Sequence, residues 1–181
     1  MHPGDTFVDV FSGKPTGAIY QWSPGESGFQ LIHGTELPGN NGIEVSLDER
    51  EIYVVSTGLF TISVFSNSNP SSLLRSTQAL DFGPDNIHMT EDGQLLTAGP
   101  SNIDHDCGEL DVENVSIEEF ASCPRGFVAA TIDPKTMLAT RLASGPANPE
   151  FSNATMALQV GDEVWIGSFS GDRIGVAPAA R

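Results

Sequence analysis

Basic residues and long apolar runs are what this sequence has little of. Its 181 residues include 8 lysines and arginines against 24 aspartates and glutamates, a formal net charge of −16. A chain this acidic repels phosphate backbones, so nucleic acid is excluded as an expected partner. No apolar run approaches the roughly 20 residues that cross a bilayer, so we expect no membrane span. The opening MHPGDTFVDVF lacks the basic-then-apolar pattern of a signal peptide, and none is visible.

Several catalytic signatures are missing as well. No G-x-S-x-G, P-loop or G-x-G-x-x-G pattern occurs, so neither an α/β-hydrolase nucleophile nor a nucleotide site is indicated. The histidines do not have zinc-ligand spacing. They are His2, His33, His88 and His105. Helical patterns are scarce too, since only SIEEFAS, with Ser116 and Glu119 at capping-box spacing, predicts a short helix.

What is present is a succession of short strands separated by turns. β-branched and aromatic residues dominate the segments that we predict as strands. These segments are 18–22, 29–33, 43–46, 51–56 and 60–65. A Pro-Gly turn at Pro24 and Gly25 separates the first two. The chain is therefore predicted to be all-β.

Three stretches share one layout, which indicates an internal repeat. They read NGIEVSLDEREIYVVS, DNIHMTEDGQLLTAG and ATMALQVGDEVWIGSF. In each, a short strand, an acidic or glycine-containing hairpin turn and a more apolar strand follow one another. The turns of successive repeats lie about one propeller blade apart along the chain. This spacing favours a propeller, in which four-stranded sheets are arranged radially, and a β-sandwich is the alternative. The sequence thus predicts an incomplete six-bladed β-propeller of about three blades, preceded by outer-strand material in 18–33.

About three blades leave such a ring half closed. Exposed strand edges invite pairing, so either a second copy or another chain covers them, or the sequence is a fragment. We predict that residues 1–181 form a single β-propeller domain, the C-terminal half of a full propeller. An acidic loop is predicted as an insertion at 101–125.

Two of the repeats open with oxygen-bearing side chains. Asn41 stands beside Gly42 in the first repeat, and Asp85 and Asn86 occupy nearly the same place in the second. Equivalent inner strands of successive blades converge on the channel axis, so these side chains are expected to meet there. One carboxylate and two amide oxygens are hard donors of the kind that Ca²⁺ binds. The alternative is local: Asn41 starts a type I′ turn and Asp85 caps a bend.

The quoted motifs resemble those of a known family. The chain is similar to the C-terminal half of paraoxonase/arylesterase proteins and, more broadly, to the senescence marker protein, gluconolactonase and strictosidine-synthase-like family. The similar segments are AIYQWSP, NNGIEVSLDEREIYVVS, ALDFGPDNIHMTEDGQLLTAG and VGDEVWIGSFSGDRIGVA. The resemblance implies a six-bladed propeller with Ca²⁺, or another divalent cation, in its channel. It also implies that Asn41, Asp85 and Asn86 are metal ligands.

The resemblance implies an activity too, the hydrolysis of small-molecule lactones or aryl esters with the metal as Lewis acid. The family's remaining ligands, a Glu and another Asn, have no counterpart here, and Phe60 and Pro100 stand where paraoxonases carry histidines. His88, two residues after Asn86 on the same strand, is the remaining acid/base candidate. The alternatives are a non-catalytic propeller fragment used for binding, or a truncated remnant of such an enzyme. Strictosidine-synthase-like C–C bond formation needs a channel Glu, and none is assignable.

Two cysteines bracket the acidic insertion. Cys107 and Cys123 lie sixteen positions apart, and a disulfide between them would pin the loop in an oxidising compartment. This pairing favours an extracellular or periplasmic location, whereas two free thiols in a cytosolic protein are the alternative. In a propeller the loop would lie on one rim, where it could cover the channel and shape specificity.

Overall fold

A computed structural model describes residues 6–104, 106–114, 116, 118, 122–148 and 150–180 of the chain. Helix α1 spans Phe7–Phe11, and a 3₁₀ turn spans Thr57–Leu59. The strands in chain order are β1 (Tyr20–Gln21), β2 (Gln30–Leu31), β3 (Asn40–Val45), β4 (Glu51–Ser56), β5 (Thr61–Ser66), β6 (Asn69–Ser76), β7 (Ile87–Met89), β8 (Leu95–Pro100), β9 (Ile103–Asp104), β10 (Gly108–Glu109), β11 (Phe127–Ile132), β12 (Ala139–Gly145), β13 (Ala154–Val160), β14 (Glu163–Ser168) and β15 (Gly175–Pro178). The all-β prediction is confirmed. Most of the predicted helical segment SIEEFAS lies outside the described residues.

The strands form successive antiparallel sheets, and two of these sheets have the four strands of a propeller blade. The first has the order β3-β4-β5-β6 and the second the order β12-β11-β8-β7. Hairpin β1-β2 precedes them and the three-stranded sheet β13-β14-β15 follows, while β9 and β10 pair within the predicted insertion. The predicted incomplete propeller of four-stranded sheets is confirmed.

The repeat noted in the sequence corresponds to the hairpin that starts each of the last three sheets. In each hairpin an inner strand pairs antiparallel with the next strand along the chain, as expected for consecutive strands joined by a tight turn. The pairs that close the three turns are Val45–Ile52, Met89–Leu95 and Val160–Glu163. Strands β3, β7 and β13 therefore occupy equivalent inner positions in successive sheets.

Apolar side chains fill the spaces between successive sheets. The β1-β2 hairpin region contributes Ile19 and Ile32 to a cluster with Val54 and Phe65 of the first four-stranded sheet. That sheet meets the second through a cluster of buried residues that comprises Tyr53, Val55, Ile62, Val64, Ile87, Leu95, Ile132 and Met137. The second sheet meets the three-stranded sheet through Leu96, Ala98, Ala129, Ala143, Ala154, Ala157, Val164 and Ile166. Because these side chains are removed from water, their burial stabilises the packing of each sheet on the next.

Arg75 pairs with Glu51 within the first four-stranded sheet and hydrogen-bonds to the second. Arg75 donates to both carboxylate oxygens of Glu51 at 2.7 and 2.6 Å and to the carbonyl oxygen of Pro134 at 3.0 and 2.6 Å. The bond from Arg75 lowers the pKa of Glu51, against the opposing effect of burial. Tyr53 donates its hydroxyl to the same carboxylate at 2.8 Å. Arg75 thus ties the outermost strand of one sheet to the following sheet.

Helix α1 packs on the 3₁₀ turn, and the sequence analysis did not predict it. The N–H of Thr6 donates to the Asp9 carboxylate at 2.8 Å, which is the reciprocal bond of a capping box. A Cβ at Gly58 would collide with the carbonyl oxygen of Val10, so a glycine is needed for this close approach. Among the described residues, no helix combines the length and the apolar character that crossing a membrane requires.

Candidate active site

The inner strand β3 meets the segment that enters β7 through a direct backbone contact. The N–H of Gly42 donates to the backbone oxygen of Asp85 at 2.9 Å, and a Cβ at position 42 would lie 2.6 Å from that oxygen. Asn41 and Gly42 lie within β3, whose register shifts between Asn40 and Ile43. The alternative of a type I′ turn at Asn41 is therefore wrong, because the Asn-Gly pair belongs to a strand that approaches the neighbouring sheet.

The Asp85 carboxylate is the centre of a small polar cluster. The Asn86 amide donates to its Oδ1 at 3.0 Å, and the Asn41 side chain lies near enough to stabilise its charged form. Burial raises the pKa of Asp85 to about 6, and the Asn41 side chain opposes this rise only in part. The three residues that the sequence predicted as metal ligands therefore lie together, around a carboxyl group whose pKa is raised by burial.

Neighbouring groups from further strands hold the two amides in place. The Thr57 hydroxyl accepts from the Asn41 amide at 3.2 Å and donates to the carbonyl oxygen of Pro84 at 2.8 Å. The backbone N–H of Asn86 donates to the Thr155 carbonyl at 2.9 Å, and its side-chain amide lies 3.3 Å from the same oxygen. Because Thr155 belongs to β13, the cluster connects three successive sheets.

A cavity of about 310 Å³ opens beside this cluster. Asn41, Thr57 and Asp85 form part of its polar wall. Its apolar wall consists of Phe7, Val10, Phe11, Phe60, Pro100, Leu110 and Phe169. Within the described lining, Asp85 is the one titratable side chain. The cavity therefore combines a single, partly buried carboxyl group with surroundings that suit an apolar ligand.

The aromatic side of the cavity depends on α1. The rings of Phe7 and Phe11 meet edge to face with centroids 5.5 Å apart, and Phe11 stacks on Phe60 at 5.8 Å. Phe60 has a left-handed backbone with φ of 56°, which ends the 3₁₀ turn and places its ring against the helix. Phe60 and Pro100, the two positions that the family resemblance matched to histidines, both contribute to the cavity wall.

The donor types fit a hard cation, but their number falls short of a complete coordination shell. Ca²⁺ takes six to eight oxygen ligands, and Asn41, Asp85 and Asn86 supply one carboxylate and two amide groups. Both amides now direct their nitrogen atoms to hydrogen-bond acceptors, so each would rotate by a half turn about χ2 to offer oxygen to an ion. Within the described residues, no group of three or more His, Cys, Asp or Glu side chains is arranged to hold a metal. The metal-ligand roles stay a prediction.

His88 lies on β7 but not among the residues that line the cavity. Its Nδ1 is buried and finds no hydrogen-bond partner within the described chain. Burial lowers the pKa of His88, while the nearby Glu44 carboxylate raises it in part. An acid/base role for His88 stays a prediction. His33 is exposed and lies 3.4 Å from Glu36, and His2 and His105 lie outside the described residues.

Leu110 of the acidic insertion lines the cavity, and a disulfide and several hydrogen bonds hold the insertion in place. A disulfide joins Cys107 to Cys123, with their Cα atoms 5.9 Å apart. The buried guanidinium of Arg125 donates to the carbonyl oxygens of Ser101, Asn102 and Gly108, at 3.2, 3.0 and 3.0 Å.

Asp104 supplies a second anchor of the insertion. Burial would raise the pKa of Asp104, but bonds from the N–H groups of Gly126, Asp106 and Cys107 outweigh it and lower that pKa. These contacts anchor the described part of the loop to the strands beside the cavity.

Sequence reasoning missed several residues that build the cavity wall and the cluster. Phe7 and Phe11 come from the helix that was not predicted, although Thr6 and Asp9 have capping-box spacing and could have indicated it. Thr57 and Phe169 reach the site by long-range packing, for which the sequence contains no local signal.

Comparison with solved structures finds the same propeller fold at low sequence identity. A gluconolactonase from Xanthomonas campestris matches with a TM-score of 0.52 and 18% identity, over 90% of this chain and 44% of that protein. The WD40 β-propeller domain of Doa1 matches with a TM-score of 0.56 and 9% identity, over 93% and 45%. The periplasmic gluconolactonase of Pseudomonas aeruginosa matches with a TM-score of 0.51 and 13% identity, over 91% and 47%.

These matches establish the fold. The chain has the propeller fold of gluconolactonases, as the resemblance in its motifs implied. It spans slightly less than half the length of each of these three proteins. No protein-family model and no curated protein matches the chain by sequence.

Proposed function

We propose that the protein hydrolyses lactones or aryl esters with the help of Ca²⁺ or another divalent cation held by Asn41, Asp85 and Asn86. The observation that carries the proposal is that these three side chains lie together beside a largely apolar cavity, which Asn41 and Asp85 line. The gluconolactonases that share the fold are lactone hydrolases by name, which supports the reaction class. Fold alone does not select an activity, so the site carries the argument.

Each protein group has a definable part in such a reaction. A bound divalent cation would supply a Lewis acid for the ester carbonyl. Asp85 would contribute the negative charge of the site. The amides of Asn41 and Asn86, which now donate to the Thr57 hydroxyl and the Thr155 carbonyl, would turn to offer their oxygens. The aromatic wall would exclude water from the ester and hold its acyl or aryl part.

A binding propeller without catalysis is the second candidate. It is favoured by the composition of the cavity, because Asp85 is the one titratable group among the described lining residues. If Asp85 binds a cation, the described lining offers no further side chain to accept a proton from water. Both a gluconolactonase and the WD40 domain of Doa1 resemble the chain in fold, and one fold can host unrelated functions, so the fold does not choose between the two candidates.

The location that we propose is an oxidising compartment, extracellular or periplasmic. The disulfide between Cys107 and Cys123 would persist there, and one of the gluconolactonases with this fold is periplasmic. The proposed partner is a small ester or lactone that fits a cavity of about 310 Å³.

Thermal unfolding and hydrolysis, each followed with CaCl₂ and with EDTA, test the proposal. A cation that binds the folded state raises its melting temperature by mass action, so calcium should stabilise the protein and support hydrolysis of phenyl acetate or γ-butyrolactone. Asp85→Asn should abolish both effects, whereas Glu91→Gln, which removes an exposed carboxylate in a hairpin turn, should preserve both. Calcium stabilisation without turnover would support the binding candidate. A melting temperature that calcium leaves unchanged would contradict the metal site.

A further inference from the structure

A run of backbone hydrogen bonds leads from Asp85 along one wall of the cavity. The N–H of Asp85 donates to the carbonyl oxygen of Ala98 in β8 at 3.1 Å. Further along the same two segments, the N–H of Asn102 donates to the carbonyl oxygen of Asp81 at 3.2 Å. The segment that carries Asp85 therefore lies antiparallel to the end of β8 and to the residues that begin the insertion.

Leu110 of the insertion is attached where this run ends. Its N–H donates to the carbonyl oxygen of Asn102 at 2.9 Å. The chain from Ala98, which is bonded to Asp85, to Asn102 has a length of about 13 Å when extended. Asp85 and Leu110 both line the cavity. They therefore lie toward opposite ends of the same wall.

The wall between these two ends suits an apolar chain. Gly83 and Pro100 line it, and the N–H of Gly83 already donates to the Pro100 carbonyl oxygen at 2.9 Å. The rings of Phe60 and Phe169 line the same cavity. Because apolar groups gain free energy when they leave water, a hydrocarbon chain would bind along this wall.

The backbone that carries Leu110 is fixed by several bonds. A disulfide joins Cys107 to Cys123, and Arg125 donates to the Gly108 carbonyl oxygen at 3.0 Å. Leu110 itself is partly buried. A ligand that reaches a side chain held in this way must displace it or remain outside, and crowding of packed groups is destabilising. Leu110 can therefore discriminate between ligands by their length.

We propose that Leu110 sets a length limit, by closing the cavity at the end opposite Asp85, so that ligands with a short apolar chain bind and those with a longer chain are rejected. The direction of the ligand rests on the proposed function, which places the carbonyl group toward Asp85 and leaves the chain to extend toward Leu110. The cavity of about 310 Å³ lies at the small end of the range for ligand pockets, about 300–1,000 Å³.

A length limit gives the affinity two regimes. While the chain fits, each added methylene should strengthen binding about fourfold, the factor that corresponds to burying it. Once the chain reaches Leu110, a further methylene should weaken binding. The chain length at which the trend reverses is the property that Leu110 determines.

Calorimetric titration with alkyl phenyl ketones of increasing chain length tests the length limit without requiring turnover. These ketones have a phenyl group, a carbonyl group and an alkyl chain, but they cannot be hydrolysed. In CaCl₂, their affinity for the native protein should rise and then fall along the series. Leu110→Ala should move the reversal to longer chains and Leu110→Phe to shorter ones. Leu138→Ala alters a side chain that is 69% exposed and outside the described lining, and it should leave the series unchanged.

The shortest ketone of the series controls for folding. Acetophenone has too short a chain to reach Leu110, so it should bind equally to the native protein and to both Leu110 variants. Failure of the native protein to bind the series, an affinity that rises throughout it, or a reversal that neither Leu110 variant moves would each overturn the length limit.

Hydrolysis of phenyl esters with the same alkyl chains separates the length limit from the proposed function. The kcat/KM should reverse at a similar chain length and shift with Leu110→Ala in the same direction, while phenyl acetate is hydrolysed equally by both proteins. A reversal in ketone binding without ester hydrolysis would support the length limit and contradict the hydrolase. Hydrolysis with a chain-length profile that Leu110→Ala leaves unchanged would support the hydrolase and overturn the length limit.

Discussion

The backbone N–H of Gly42 donates to the backbone oxygen of Asp85 at 2.9 Å, directly beside the carboxylate at the centre of the candidate site. This bond joins the inner strand of one blade to the segment that enters the next. The polar cluster and the packing of two blades therefore depend on the same contact.

Gly42→Ala is expected to destabilise the fold. The added Cβ would lie 2.6 Å from the Asp85 oxygen, so the two strands must separate, at a cost of about 1–3 kcal/mol in the free energy of unfolding. Urea denaturation measures the change. The matched control is Gly28→Ala, because a Cβ at Gly28 meets no heavy atom within 4 Å. Equal losses in the two variants would contradict the close approach.

Asp85 should make the metal-free protein less stable as pH rises. Its pKa is about 6 in the folded state against a usual value of 3.8. Since the folded state binds the proton more tightly, this contribution is complete below pH 3.8 and is lost as pH rises through 6. Asp85→Asn should therefore unfold at a higher temperature than the native protein at pH 8 in EDTA.

The comparison at low pH completes this test. At pH 4 the native Asp85 is largely protonated when folded, and the difference between the two proteins should shrink. Two pKa units correspond to about 3 kcal/mol, which sets the upper scale of the effect. Glu91→Gln serves as the control and should change little between the two pH values. A gap that is the same at pH 4 and pH 8 would show that burial does not perturb Asp85.

Arg75→Ala should cost more stability than loss of an exposed arginine. Arg75 bridges Glu51 and the Pro134 carbonyl between two sheets, so its removal leaves a partly buried carboxylate without its cation, at a cost of about 2 kcal/mol. Arg50→Ala removes a pair with Asp48 whose side chains are 84 and 61% exposed, and it should cost under about 1 kcal/mol.

The pH dependence of the Arg75 effect has a definite sign. The pKa of Glu51 lies below its usual value of 4.5, so the pair stabilises the fold above that pH and weakens as Glu51 is protonated. Chemical denaturation at pH 7 and pH 3.5 should show the cost of Arg75→Ala falling at the lower pH. A constant cost would mean that Arg75 acts through its bonds to Pro134 rather than through Glu51.

Reduction of the disulfide should lower the free energy of unfolding by about 3 kcal/mol, because cysteines sixteen positions apart close a loop of that size. Urea unfolding with and without dithiothreitol measures this loss. The double variant Cys107→Ser, Cys123→Ser should show the reduced stability in both conditions. A native protein that is insensitive to reduction would indicate that Arg125 and Asp104 hold the loop without the covalent bond.

Strand patterning in the sequence predicted the sheets more closely than the site. Strand Glu51–Ser56 has the predicted bounds. It is rich in β-branched residues and is buried on both faces of its sheet, which is typical of a central strand. The predicted strand 18–22 is shorter in the structure and spans Tyr20–Gln21. Its hairpin packs on one neighbouring sheet, so less of the strand is stabilised by burial. Phe60 was predicted to start a strand but adopts a left-handed conformation, since contact with α1 outweighs its preference.

The candidate site shows where local pattern stops being informative. The repeat placed Asn41, Asp85 and Asn86 at equivalent points of neighbouring inner strands, and the structure brings them together. The cavity beside them also needs Phe169, whose position follows from how distant segments pack. No periodicity in one segment specifies a contact of that kind.

Each sheet packs on the next, so the central sheets have two neighbours and the outer sheets have one. Local unfolding of the native state should therefore be easier at the outer sheets than in the centre. Leu95, Leu96 and Ala98 of β8 are fully buried between both neighbours, so their amide protons should exchange with deuterium most slowly. Opening would begin at β1-β2 or β15 and travel inward, as in linear repeat proteins.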